Sequence, residues 1–143
     1  MGDRAATIPA DHLDHISIAV PDLDAAAAFY RDTFGCEVGA PIDVPSEGMR
    51  IAYALFTNIK IELMQPLGDA SAAGKFLARN PAGGLHHICM ATEDVDAAAK
   101  AAPNAGLRVL GDEAPKPGHH GRKLFFLHPK DAIGTLIEVE QAD

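Results

Sequence analysis

The chain has 143 residues, 48% hydrophobic and 22% charged, a balance that excludes a disordered polymer and suits a globular protein of one domain. Twelve Lys and Arg stand against twenty Asp and Glu, a formal net charge of -8, which argues against non-specific nucleic-acid binding because that rests on neutralising phosphates. Cys36 and Cys89 are too few for a disulfide framework or a thiolate zinc site and are expected as buried thiols of a cytoplasmic protein; no apolar run reaches membrane-spanning length, and residues 1–10 lack the apolar segment of a secretory signal.

In chain order, residues 13–20 alternate, with Ile16, Ile18 and Val20 on one face and His15, Ser17 and Ala19 on the other, which predicts a half-buried strand. Asp22 stands at the N-cap of a helix over 23–34, and Gly35 stops it. Strands are predicted over 36–44, 49–56 and 59–65, separated by the turn residues 45–48 and 57–58. A short linker helix follows over 71–79. The later elements are a strand over 85–92, a helix opening at Asp94 and cut short by Pro103, and strands near 107–112, 123–127 and 135–141.

The chain contains its own duplicate. LDHISIAVPDLDAAA (13–27) and LHHICMATEDVDAAA (85–99) agree at nine of fifteen positions, among them His15/His87, Asp22/Asp94 and Asp24/Asp96. Ile61-Glu62-Leu63-Met64-Gln65 echoes Ile137-Glu138-Val139-Glu140-Gln141. Each half therefore opens on a strand with a His and closes on a strand with a Glu, in the order β-α-β-β-β. One domain over 1–143 is expected, with modules at about 11–67 and 84–141 and a linker helix at about 70–80.

Strand parity sharpens this. If Ile16, Ile61, Leu63, Ile88, Ile137 and Val139 face the core, then His15, Glu62, His87 and Glu138 share the other face, the one expected to be left uncovered by helices. Two imidazoles and two carboxylates suit a divalent metal with open positions. His86 competes with His87, but the repeat and the parity both choose His87. His119 and His120 sit in a Gly/Pro-rich stretch and are expected as flexible loop residues, and His12 as a solvated one.

With these residues in view, the chain resembles the vicinal oxygen chelate superfamily of glyoxalases, bleomycin-resistance proteins and dioxygenases, and within it the methylmalonyl-CoA epimerase family. The resemblance spans 13–141. It is carried by LDHISIAVPDLDAAAAFYRDTFG, IELMQPL, GGLHHICMATEDVDAA and GHHGRKLFFLHPKDAIGTLIE. It implies an α+β fold in which two tandem βαβββ modules form a curved, eight-stranded mixed sheet around a metal site. It implies a divalent ion, cobalt first and manganese, nickel or zinc otherwise, held by His15, Glu62, His87 and Glu138. The reaction it implies is inversion at the α-carbon of an acyl-CoA, with a proton removed from one face and returned to the other, in a homodimer that meets neither nucleic acid nor membrane. Glu138 and Glu62 are expected as the two bases, with Glu47 as a further candidate. Lys116, Arg122, Lys123 and Lys130 are expected to meet the CoA phosphates. The chain departs from some relatives that carry Gln at the position of Glu62, and from others that carry a glutamate at the position of Ile51. Lactoylglutathione lyase is an alternative on the same scaffold. A metal-free binding protein is another, weakened by the lack of Trp and an aromatic content of 6%.

Overall fold

The computed structural model describes residues 6–143; the first five of the residues read above for a secretory signal lie outside the described residues. The chain divides into two compact units, one of His15–His86 and the other of Met1–Asp14 with His87–Asp143.

The first unit carries β1 (His12–Ala19, which enters from the other unit), α1 (Leu23–Phe34), β2 (Glu37–Val38), β3 (Ile42–Val44), β4 (Met49–Leu55), β5 (Lys60–Pro66) and α2 (Ala72–Arg79). Its strands run in the order β2-β4-β5-β1, with β3 also paired to β4. The β1–β5 pair is parallel and the pairs made by β4 are antiparallel. Val20, Leu23, Ala52 and Leu63 form the core on the α1 side, while Val44, Ile51 and Met64 pack with Met49 and Tyr53.

The second unit repeats this plan. β6 (Gly84–Thr92, whose first residues belong to the first unit) is followed by α3 (Val95–Ala101), β7 (Val109–Leu110), β8 (Lys116–Pro117), β9 (Lys123–Leu127) and β10 (Ile137–Gln141). The order is β6-β10-β9-β7, with β8 paired to β9, and β6 and β10 are parallel. Val95, Ala98, Ala102, Phe125, Leu127 and Val139 form its core.

The repeat has a physical basis in how each helix is started. Asp22 accepts from Ala25 N and Asp94 from Ala97 N, at 3.1 and 3.0 Å, as N-caps should. A second acceptor reaches each helix from its own closing strand: Gln65 Oε1 takes Leu23 N at 2.7 Å, and Gln141 Oε1 takes Val95 N at 3.0 Å. Two of the orphan donors of each helix are thereby satisfied, and the helix is pinned to the end of its strand. Just before β6, Gly83 adopts φ +90, and a Cβ there would lie 2.5 Å from Ala19 O, so the close approach requires glycine.

The elements expected from sequence are present, with corrections at their edges. The strand expected over 36–44 splits into β2 and β3 around Gly39, Ala40 and Pro41, where proline removes a ladder donor. The strand near 107–112 contracts to β7, β8 was not anticipated, and the last strand begins at Ile137. Ten strands thus stand where eight were expected, among the described residues. α3 has seven residues against the twelve of α1, because Pro103 opens a separate 3-10 turn. The His-bearing face is also not left open: His15, Ser17 and Ala19 are all buried, and Ile16 and Ile18 are only partly so.

Candidate active site

In the first unit, register assembles the site. Ser17 on β1 and Tyr53 on β4 are both partners of Glu62 on β5. Ser17 Oγ donates to Glu62 Oε1 at 2.8 Å, and Tyr53 Oη donates to Oε2 at 3.1 Å. Both carboxylate oxygens are therefore engaged by neutral hydroxyls, which lets a carboxylate remain at 7% exposure. His15, 4% exposed, places Nε2 3.9 Å from Glu62 Oε1, beyond hydrogen-bonding reach.

In the second unit, Glu138 on β10 stands opposite Cys89 on β6 and Phe126 on β9. Its Oε1 lies 3.0 Å from His87 Nε2, and both residues are buried. A carboxylate only accepts, so the imidazole donates in this arrangement. The Phe126 ring meets His87 edge-on, with centroids 5.2 Å apart, and fixes its plane. Each unit thus holds one buried His–Glu pair on neighbouring strands, as the repeat implies.

One step along β10 lies a group that sequence reasoning left without a role. Glu140 is 1% exposed. It meets His120 Nε2, it accepts from Arg122 Nη2 at 3.4 Å, and Cys89 Sγ lies 3.8 Å away. Arg122 also reaches Asp14 at 3.7 Å and Asp143 at 2.9 Å. Burial, then the charges of Asp14 and Glu138, push the Glu140 carboxyl up to about 7. His120 is accordingly held by Glu140, and its reading as a flexible loop residue is corrected. Burial, reinforced by Glu138 and Glu140, raises the Cys89 thiol far above its usual value, so Cys89 is an inert buried thiol. Cys36 is only half-buried and donates to Tyr30 O.

Of the basic residues singled out for phosphates, Lys123 is bound to Asp96 at 2.6 Å and Arg122 to its three carboxylates. Lys116 on β8 and Lys130 in the 3-10 turn after β9 are exposed and make no ion pair among the described residues. Glu47 is exposed in the turn before β4, and Ile51 is a core residue at 1% exposure. His86, next to His87 on β6, packs edge-on against Phe76, and His12 is exposed beside Asp11. Ser17 and Tyr53 were missed. Ser17 was legible, two residues from His15 on the same face; Tyr53 was not, because its place depends on the β4–β5 register.

The family model of the Glyoxalase/Bleomycin resistance protein/Dioxygenase superfamily matches residues 14–126. The chain is 54% identical over 129 residues to the ethylmalonyl-CoA/methylmalonyl-CoA epimerase of Cereibacter sphaeroides, covering 90% of this chain and 96% of that one. A crystal structure of methylmalonyl-CoA epimerase from Mycobacterium tuberculosis is similar with TM-score 0.86 and 31% identity, over 99% of this chain and 94% of that one. A variant methylmalonyl-CoA epimerase of Streptomyces coelicolor, solved in complex with 2-nitronate-propionyl-CoA, is similar with TM-score 0.85 and 40% identity, over 94% of this chain and 96% of that one.

Proposed function

The chain belongs to the Glyoxalase/Bleomycin resistance protein/Dioxygenase superfamily and, within it, to the methylmalonyl-CoA epimerases, and from this premise we propose that its two buried His–Glu pairs carry the interconversion of the 2R and 2S forms of methylmalonyl-CoA. The duplicated His–Glu pairing is the observation that carries the reading. A lone buried pair is commonly structural, but the same pair recurs at matching places in both units. Ethylmalonyl-CoA is proposed as a second substrate, supported by the activity in the name of the Cereibacter sphaeroides relative.

The donor types support a divalent ion, since imidazoles and carboxylates together suit one. His15 Nε2 and Glu62 Oε1, at 3.9 Å, are too far apart for a hydrogen bond. Their spacing suits two donors that each bond one ion at about 2.1 Å. We propose His15, Glu62, His87 and Glu138 as the ligands, with cobalt first and manganese, nickel or zinc as alternatives, since such a donor set does not select among them. Bound there, the ion supplies Lewis-acid stabilisation of negative charge on the thioester oxygen.

The chain's own residues move the proton. Inversion needs one group to take the α-proton and a second to deliver one to the opposite face. Glu138 is proposed as one base and Glu62 as the other. Ser17 and Tyr53 orient Glu62 and His87 stands within reach of Glu138, which positions the two carboxylates; a carboxylate that ligates the ion must loosen from it during turnover to act as a base. Deprotonated Glu138 takes the proton, the electron pair stays on the substrate, and protonated Glu62 returns a proton to the other face; the reverse direction exchanges the roles.

For the CoA phosphates, Lys116 and Lys130 are proposed first. Lys123 and Arg122 serve there only by giving up Asp96 and the Glu140 cluster. A homodimer is proposed on the family resemblance. A cytoplasmic place is proposed from the two free cysteines, and no described helix is long and apolar enough to cross a membrane. The test is direct: metal-loaded protein given the 2S thioester alone should bring it to an equal mixture with the 2R form. A stereochemically unchanged thioester overturns the reading.

A further inference from the structure

We propose that Lys60 binds the free carboxylate of the substrate and so makes the protein selective for acyl-CoA thioesters that carry a second, α-linked carboxylate. The inference rests on the epimerase reading and adds to it a residue that determines which thioester is accepted.

Three observations place Lys60. It is the Cα partner of His15 across the β1–β5 pair, and it precedes Glu62 by two residues on β5, so it shares the face that carries the His–Glu pair. Its Nζ lies 5.3 Å from the centre of the Tyr53 ring, the same ring whose hydroxyl holds Glu62. The side chain is half-buried, and the ring fixes its ammonium by cation–π attraction within the proposed site.

The chemistry of the substrate asks for such a group. Its carboxylate is bonded to the carbon that inverts, so it must lie beside the bases, whereas the CoA phosphates sit a whole pantetheine arm away. Removing the α-proton adds a second negative charge next to that carboxylate, within a chain whose formal net charge is -8. A cation held against the Tyr53 ring, on the face that carries Glu62, would offset both charges without reorganising as the second develops. Arg122 is held by three carboxylates and Lys123 by Asp96, and Lys116 and Lys130 are the residues proposed for the distant phosphates.

The test is steady-state kinetics on the full, metal-loaded chain with Lys60→Met and Lys60→Arg, with propionyl-CoA as a competitive ligand that has the same thioester and no second carboxylate. Lys60→Met should raise the KM for methylmalonyl-CoA by about 10- to 100-fold, the effect of losing one charge-assisted hydrogen bond. It should leave propionyl-CoA inhibition within about twofold of wild type, a change too small to represent a lost contact. Lys60→Arg should recover most of the KM. An unchanged KM in Lys60→Met overturns the proposal, and so does an equal weakening of propionyl-CoA, which would assign Lys60 to the CoA portion or to packing. A wild-type chain inactive towards methylmalonyl-CoA would overturn the epimerase reading itself and is separable, because it precedes any variant.

Discussion

At the scale of single residues, the site depends on how buried carboxylates are held. Glu62 is satisfied by two hydroxyls and Glu138 by an imidazole, so the two proposed bases are equally buried but differently partnered. Replacing Glu138 by Gln keeps the shape and removes the base, and kcat should fall by about 10²- to 10⁴-fold, the usual worth of one positioned acid or base. Arg122 separates two roles in another way. As the counter-ion of buried Glu140, its replacement by Ala should lower unfolding stability by about 2–3 kcal/mol, discounted from a fully buried pair because Arg122 is partly exposed; as a phosphate contact it would instead change only KM. Urea unfolding beside kinetics decides between them. Asp131 gives a pH signature. The Arg108 guanidinium and backbone N–H hold its carboxyl down at about 2, below the usual 3.8. Its folded value lies below its unfolded one, so its contribution is complete above 3.8 and is lost as pH falls through about 2. The stability difference between wild type and Asp131→Asn should therefore shrink across that acid window.

At the scale of elements, the repeated start of α1 and α3 is the most regular device in the fold. Gln65→Ala and Gln141→Ala should each cost about 1 kcal/mol, in the range of a lost helix cap. The double variant should cost the sum, since the two caps share no partner. Strong non-additivity in thermal unfolding would contradict that independence. The Gln65/Gln141 echo was visible in the sequence as the last letter of a matched pentapeptide, and its structural reason is the helix it caps. Elements with a strong period and a clear cap, such as β1 and α1, were legible almost to the residue. β2, β3, β7 and β8 were not, because strands of two or three residues are too short to show a period and form by pairing with β4 and β9. The Glu140 cluster escaped for a related reason. Its members come from β1, β6, the residues before β9, β10 and the C-terminus, and only the fold brings those distant positions to one carboxylate.

At the scale of the whole molecule, the chain is a duplicate, and each of its two units carries its own buried His–Glu pair. The internal repeat places a His and a Glu at equivalent points of each unit, and two bases of like kind are what an inversion needs, since the same reaction must run from either face. A ligand that binds only the folded chain stabilises it by mass action. Adding a divalent ion to chelator-treated protein should therefore raise the melting temperature, and His15→Ala or His87→Ala should abolish the rise. The central claim is the proposal that Glu62 and Glu138 are two bases serving opposite faces of the α-carbon, one taking the α-proton and the other supplying a proton. The measurement is solvent exchange: metal-loaded protein and methylmalonyl-CoA in deuterated water, with the α-proton followed by NMR, for wild type, Glu62→Gln, Glu138→Gln and a chelated control. Rapid exchange is expected in wild type, loss of exchange in the chelated control, and in each single variant exchange for one stereoisomer only, the isomer whose proton faces the remaining carboxylate. Wild-type exchange rates retained for both isomers in both variants would contradict it.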